Sequence, residues 1–357
     1  MDARHFDALS RALSGPETRR RLLGALATLP LVGGGLSALL SPDEAGAGGR
    51  RQRRKKRHKH GDRRARKRRK HKRKPGCIPD CAGRCGGAAD GCGGTCTGSC
   101  PANQICDNKT CTGCDVCLSG DCTYTTVQAA IDAANAGATI RICPGAYVPT
   151  TPPTGVAMVT LSKNLTLVGA GMGSDPGTAT IFDGNLTHRV LFVDLGVTGT
   201  LRELTMTRGV DPAGGAMNNR GTMTLERVLV TGNVGAASAS GIFNQGQLTL
   251  TDSIVRGNAP TGNGGGIFNA SVGDLTLVRS VIEQNTAANG GGIYNFKGTI
   301  ELKDNSQVTN NQATGGAGNG GGIKNDGGTV IVSGASTITG NTPDDCVDVN
   351  GGTGCPA

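Results

Sequence analysis

The feature that most constrains this chain is a repeat. Five segments carry a glycine, an aliphatic residue, a long side chain and an asparagine in nearly the same order: Gly215-Ala216-Met217-Asn218, Gly241-Ile242-Phe243-Asn244, Gly266-Ile267-Phe268-Asn269, Gly292-Ile293-Tyr294-Asn295 and Gly322-Ile323-Lys324-Asn325. Their asparagines lie 26, 25, 26 and 30 residues apart. A second asparagine keeps step with the first, at Asn233, Asn258, Asn285, Asn311 and Asn341. Between the two fall runs of period-two alternation such as Gln247-Leu248-Thr249-Leu250-Thr251. A fixed period in the low to mid twenties, with short β-branched runs and no helical pattern, specifies a β-solenoid. One coil cannot bury its own apolar face. Stacking coils about 4.8 Å apart pairs each strand with its neighbours above and below and closes a continuous core.

The residue types follow from that geometry. Gly is 60 of 357 residues and aromatics are 3% with no Trp, which suits tight bends around a narrow aliphatic interior. The glycines keep no three-residue period, so a collagen-like helix is excluded. Asparagine tolerates the left-handed conformation at corners, and amides stacked in register can hydrogen-bond up the column. Asn218, Asn244, Asn269, Asn295 and Asn325 are expected to form one structural ladder, and Asn233, Asn258, Asn285, Asn311 and Asn341 a second. The aliphatic residue after each glycine should face inward. Alternation then turns Met217, Phe243, Phe268, Tyr294 and Lys324 outward in one column, a candidate strip for a partner or a glycan. At the front, Val127, Ala130, Ile131 and Ala134 at i, i+3, i+4 and i+7 predict a short capping helix ending before Gly137.

Upstream of the repeat the chain changes character three times, dividing it into 1–47, 48–75, 76–122 and 123–357. Thr18-Arg19-Arg20-Arg21 precedes an uncharged stretch from Leu22 to Leu40 and the small-residue site Ala45-Gly46-Ala47. That order predicts a signal peptide, here resembling a twin-arginine export signal, with no membrane-spanning helix left in the mature chain. Residues 50–74 hold 18 Lys/Arg against one acid, Asp62, while 75–357 hold 14 Lys/Arg against 21 Asp/Glu. The formal net charge of +10 therefore describes an acidic body carrying a basic arm. The arm has no sizeable apolar residue, so it is expected to be disordered. It should bind an anionic polymer or glycan by counterion release, or else serve as a solvated spacer that lifts the domain off a surface. With no aromatic residue to stack on bases, it should not read a specific nucleic acid.

Eleven of the fourteen cysteines lie between Cys77 and Cys122, among small polar residues. A stretch so poor in core needs cross-links, and in an exported chain those are disulfides. Spacing does not give connectivity. One partition pairs the ten cysteines from Cys77 to Cys117 among themselves, Cys122 with Cys143, and Cys346 with Cys355. The competing reading is a metal site at Cys111-x2-Cys114-x2-Cys117, whose spacing suits zinc or an iron–sulfur cluster. The expectation is disulfides, with no metal and no cofactor.

A family resemblance enters with Thr125-Thr126-Val127-Gln128-Ala129-Ala130-Ile131-Asp132-Ala133-Ala134 and Ala138-Thr139-Ile140-Arg141-Ile142-Cys143-Pro144-Gly145-Ala146-Tyr147. This resembles the entry to right-handed parallel β-helix proteins of the pectate-lyase-like superfamily. The Gly-Gly-x-Ile-aromatic-Asn repeats are similar to those of chlamydial polymorphic outer-membrane proteins. The resemblance covers roughly residues 124–345 and implies an all-β right-handed parallel β-helix. It does not fix function, because this fold hosts lyases, hydrolases, adhesins and inert scaffolds.

The enzymatic members need clustered carboxylates. Here Asp183, Asp194, Asp211, Asp252, Asp274 and Asp304 are spread singly, Asp344-Asp345 sits near the C-terminus, and His188 is the one histidine of the body. Arg202, Arg208 and Arg220 with Asp211 form the best local cluster, and no catalytic residue is assigned. The expectation is an exported surface or secreted protein with a non-catalytic adhesion, structural or matrix-binding role. A polysaccharide lyase or hydrolase is the alternative. An intracellular polyanion-binding protein follows if the N-terminus is not an export signal.

Overall fold

The computed structural model describes residues 82, 84–85, 88–89, 95–96, 100–149, 157–235 and 238–356. The expected signal peptide, the basic arm, and Cys77, Cys81 and Cys92 lie outside them. The chain from Thr139 onward is an all-β parallel solenoid of eight coils. Its first wall runs from Thr139–Arg141 to Thr329–Val332 and its second from Gly145–Tyr147 to Thr337–Thr339. The third wall is a separate eight-stranded sheet from Val159–Leu161 to Cys346–Val349. Walls one and two form one 14-stranded sheet, because Thr198–Thr207 and Thr222–Thr231 run unbroken through the bend between them.

Alternation decides which residues fill the interior. In Gln247–Thr251, Leu248 and Leu250 point in while the residues between point out. With Ile242 and Val255 they complete one coil's share of the core, each no more than 1% exposed. Full burial of such a side chain contributes about 1.5–3 kcal/mol. The core cluster is continuous from Val116 to Ile338. Close approach of coils explains the glycines of the repeat: a Cβ on Gly241 would overlap the Gly266 carbonyl of the next coil. At Gly290 a φ of 59° also places the backbone in the left-handed region.

The bend between walls one and two is made by Glu203, Arg227, Asp252, Arg279 and Asp304, one per coil, with φ of 55°, 51°, 49°, 49° and 54°. Their charges alternate down the edge. Arg227 pairs with Glu203, and Arg279 binds Asp252 at 2.8 Å and reaches Asp304 at 3.8 Å. A left-handed residue other than glycine costs roughly 1–2 kcal/mol, so each of these five coils carries a strained corner that a neighbouring opposite charge partly offsets.

The helix Val127–Ala133 covers the N-terminal end, capped by Thr126 and burying Val127, Ala130 and Ile131. Gln128 closes the exposed strand edge. Its side-chain Oε1 accepts from the Thr160 N–H at 2.8 Å and its Nε2 donates to the Thr160 carbonyl at 3.4 Å, as a neighbouring strand would. The cysteine-rich stretch runs directly into this end. Val116 is fully buried in the core and bridges Ile142, while Asp115 accepts from the Arg141 N–H at 2.7 Å.

The disulfides correct the expected partition. Cys143 is bonded to Cys114 and Cys122 to Cys117, so no Cys122–Cys143 bond exists and the module is not closed on itself. Cys85–Cys106 and Cys100–Cys111 staple the antiparallel hairpin Gln104–Asp107/Thr110–Gly113, and Cys346–Cys355 clasps the last coil. Cys111, Cys114 and Cys117 go to three different bridges, which removes them as a joint metal-binding set. Among the described residues no helix is long and apolar enough to cross a membrane.

Candidate functional site

Two asparagine ladders run along the solenoid, and each side chain in them is bonded to the next coil. The first is Asn219, Asn244, Asn269, Asn295 and Asn325, every Nδ2 donating to the following Oδ1 at 2.8 Å. Asn325 donates onward to Asp348 at 2.6 Å. The second is Asn233, Asn258, Asn285, Asn311 and Asn341, linked at 2.9–3.0 Å. It ends where Asn341 donates to Asp345 at 2.9 Å. A serine file, Ser253, Ser280, Ser306 and Ser336, runs parallel, each hydroxyl oxygen accepting the backbone N–H of the preceding coil. These polar groups are nearly all dry and satisfied within the solenoid, so they hold coils together and offer nothing to a ligand.

The first repeat stands one residue out of the expected register. Met217 pairs with Ile242 and Asn218 with Phe243. Met217 is therefore fully buried in the core and does not belong to the outward column. Asn218 does not belong to the ladder, where Asn219 takes its place. The outward column is Phe192, Asn218, Phe243, Phe268, Tyr294 and Lys324. Phe243, Phe268 and Tyr294 stack with centroids 5.0 Å apart and planes tilted by 31° and 35°. Their ring faces are turned on one another along the solenoid axis, which leaves edges outward where a sugar would need faces. Tyr294 is only 8% exposed. Burial, with the 2.6 Å bond to Asp326, holds its phenol far above the ordinary value. Burial pushes Asp326 upward, but hydrogen bonds from Tyr294 and Asn350 and the charges of Lys324 and Lys297 outweigh it and draw it below its usual range. Lys324 closes the column by donating to Asn289 and Asn319 at 2.9 Å each.

The arginine cluster around Asp211 is dispersed. Arg189, 7% exposed, pairs with Asp211, and Arg208 binds Asp183 at 3.2 Å. Arg202 reaches Asp107 of the cysteine-rich hairpin at 3.4 Å. Arg220 is exposed, and His188 contacts Thr187 at 2.9 Å. Asp344 accepts from the Gly318 N–H at 2.8 Å, and Asp274 and Asp194 stand apart from the other carboxylates of the set.

One feature gathers charged residues from distant parts of the chain. The tip of the cysteine-rich hairpin, residues 106–109, lies against the solenoid wall and encloses an open pocket of about 330 Å³ with Val168, Arg202, Glu203 and Arg227. Asp107, 7% exposed, accepts from Arg141 at 3.1 Å as well as from Arg202. Glu203 is held by Arg227. Arg202 Nε is buried with no hydrogen-bond acceptor. Sequence reasoning missed this site because Asp107 and Arg202 are 95 residues apart and come together through tertiary links such as the Cys114–Cys143 bond, the buried Val116 and the contacts of Arg141 with Asp107 and Asp115. Comparison of the chain with family models, with curated proteins and with solved structures gives no match in any of the three.

Proposed function

We propose that this chain is an exported surface or secreted protein whose solenoid is a rigid, non-catalytic scaffold for adhesion or matrix binding. In this reading the fold is the right-handed parallel β-helix that the sequence resembles. Residues 1–47 direct export by the twin-arginine route, and the basic arm at 48–75 binds an anionic polymer through its phosphate, sulfate or carboxylate groups. The observation that carries the reading is how the solenoid uses its polar groups. Asparagine, serine and most ion-pair partners are consumed between coils, and many of the body's carboxylates are engaged by arginines, a lysine, asparagine amides or backbone N–H groups, an arrangement that favours rigidity over reaction chemistry. Five disulfides among the described residues favour an oxidising compartment.

The test begins with intact mass of the native protein from culture supernatant and from cell fractions, with and without reduction. Cleavage near Ala47 and two hydrogens gained per disulfide on reduction are expected. Binding to an acidic polysaccharide or a polyphosphate should then weaken steeply with salt and be lost when the arm's lysines and arginines are replaced by serine. Release of new sugar ends from polysaccharide would replace this reading with a lyase or hydrolase. An uncleaved, reduced chain in the cytosol would replace it with an intracellular polyanion binder.

A further inference from the structure

The pocket under the cysteine-rich hairpin holds more positive charge than it neutralises internally. Its two carboxylates are already engaged, Asp107 by Arg141 and Arg202, and Glu203 by Arg227. Lys109 has no ion-pair partner among the described residues, and Arg202 Nε has no acceptor. A buried donor left unpaired costs about 1–3 kcal/mol, and such a group in a folded protein calls for an acceptor that the protein itself does not supply. The hairpin turn points the same way. Asn108 and Lys109 are its two central residues, with φ of 50° and 66°. The second of these positions favours glycine, because both central residues of such a turn lie in the left-handed region. A lysine there accepts backbone strain and sets an ammonium at the rim of the pocket. The other charges near the wall do not cancel it. Glu226 pairs in register with Arg202 but is not part of the lining, and Asp252 is taken by Arg279.

We propose that this pocket is an oxyanion site, in which the Lys109 ammonium and the Arg202 guanidinium together hold a phosphate or sulfate group, free or carried as an ester. A tetrahedral oxyanion accepts several charge-assisted hydrogen bonds at once, which suits a pocket lined by a guanidinium and an ammonium with three donors. The volume of about 330 Å³ is at the lower end of small-ligand sites and admits a group the size of a sugar phosphate. The site does not depend on the basic arm, and it survives if the adhesion reading fails.

The experiment is thermal unfolding of the full, disulfide-intact chain at constant ionic strength, with chloride exchanged stepwise for inorganic phosphate or sulfate. A ligand that binds only the folded body raises Tm in a saturable way, whereas anions condensed on the arm do not add to the body's stability. Lys109→Gln removes no ion pair among the described residues and replaces the ammonium with an uncharged amide, and Arg202→Lys keeps the charge beside Asp107 while deleting the guanidinium. Wild-type protein should show a saturating rise in Tm, with half-saturation moved at least about tenfold higher in both variants. Glucose 6-phosphate and inorganic phosphate are compared in the same titration. Tighter half-saturation by the ester identifies the esterified group as the occupant, and equal values identify the free ion. A linear rise that is the same in wild type and Lys109→Gln would be the general effect of excluded salts and would overturn the proposal, as would no rise in wild type. An undiminished saturable response in Arg202→Lys would overturn the role given to the guanidinium.

Discussion

The cysteine-rich hairpin and the solenoid solve the same problem with opposite means. From residue 85 to residue 113 the described apolar core amounts to little beyond Ile105, Ala88 and half-cystines. Order there comes from bridges such as Cys85–Cys106 and Cys100–Cys111, closing loops of 21 and 11 residues. The solenoid between Ile140 and Ile338 contains one disulfide-bonded residue, Cys143, and is held by a continuous aliphatic core with amide ladders at two corners. Cross-links act mainly by restricting the unfolded chain, and their effect stays local. Ladders act in the folded state, and each rung depends on the rungs beside it. A chain with a repeat can stabilise itself by stacking, and a chain without one must be tied.

Breaking a rung should therefore be the most damaging single change. Asn285→Ala takes the side-chain donor from the Val255 carbonyl and the acceptor from the Asn258 N–H, while Asn311 Oδ1 keeps the residue 285 N–H and Asn258 Nδ2 keeps the Val230 and Arg256 carbonyls. With roughly 1–3 kcal/mol for each of these two buried groups, a loss of about 2–6 kcal/mol is expected in denaturant unfolding. A loss below about 1 kcal/mol would show that coil stacking needs no ladder. Removing the bridge between the two regions with Cys114→Ser and Cys143→Ser should cost about 2–5 kcal/mol of module stability. Hydrogen exchange should then rise in Gln104–Gly113 while strands from Ile254 onward keep their protection. Equal loss in both regions would mean that they fold as one cooperative unit.

A smaller effect is expected at the junction. Tyr147 donates to the Val116 and Cys143 carbonyls at 3.3 and 3.1 Å, and burial pushes its phenol up to about 12. Its value in the unfolded chain is about 10. A raised value means that the folded form keeps its proton longer, so the stabilisation is complete below pH of about 10 and is lost as pH rises through the folded value. Tyr147→Phe should cost about 1 kcal/mol at neutral pH and flatten the alkaline fall in stability, leaving the part due to Tyr294. The smallest change is expected on the outer edge. The Arg279 hydrogen bond holds Asp252 below its ordinary value, so that pair contributes above the usual carboxylate range and is lost as pH falls through the lowered one. Arg279→Ala should leave the denaturation midpoint nearly unchanged at physiological salt. A large drop would show that the alternating charges hold the left-handed corners in place.

Much of the solenoid was legible in the sequence because a repeat states its register many times. Ile242, Ile267, Ile293 and Ile323 all read as inward, and all are fully buried. The exception was the first repeat, where Asn218 and Asn219 are adjacent and Gly215 suggested the wrong one. The interval between the two ladders held the answer, since Asn219 to Asn233 matches Asn244 to Asn258 at 14 residues and Asn218 does not. The Cys346–Cys355 bond was expected and is present, but partners in the cysteine-rich stretch were not legible, because they depend on how the hairpin folds back, which spacing does not encode. The pocket was hidden for the same reason. The outward aromatic column was visible as a column, but stacking alone decides whether ring faces or ring edges meet solvent.

The asparagine ladders also have a direction. Every amide nitrogen donates toward the C-terminal end, so each ladder is a one-way relay whose small dipoles add and whose positive end is met by a carboxylate, Asp348 in one case and Asp345 in the other. An ionised carboxylate accepts but has no hydrogen to pass on. Where the sequence exchanges an amide for an acid, the relay stops, and a further coil would find no donor waiting for it. In the first ladder that stop is a change of one atom, nitrogen to oxygen, at Asp348, the residue in register with Asn325. Asp348→Asn with Asp345→Asn would remove both terminators and leave two unspent donors at an open strand edge, the condition under which a stacking repeat recruits another strand.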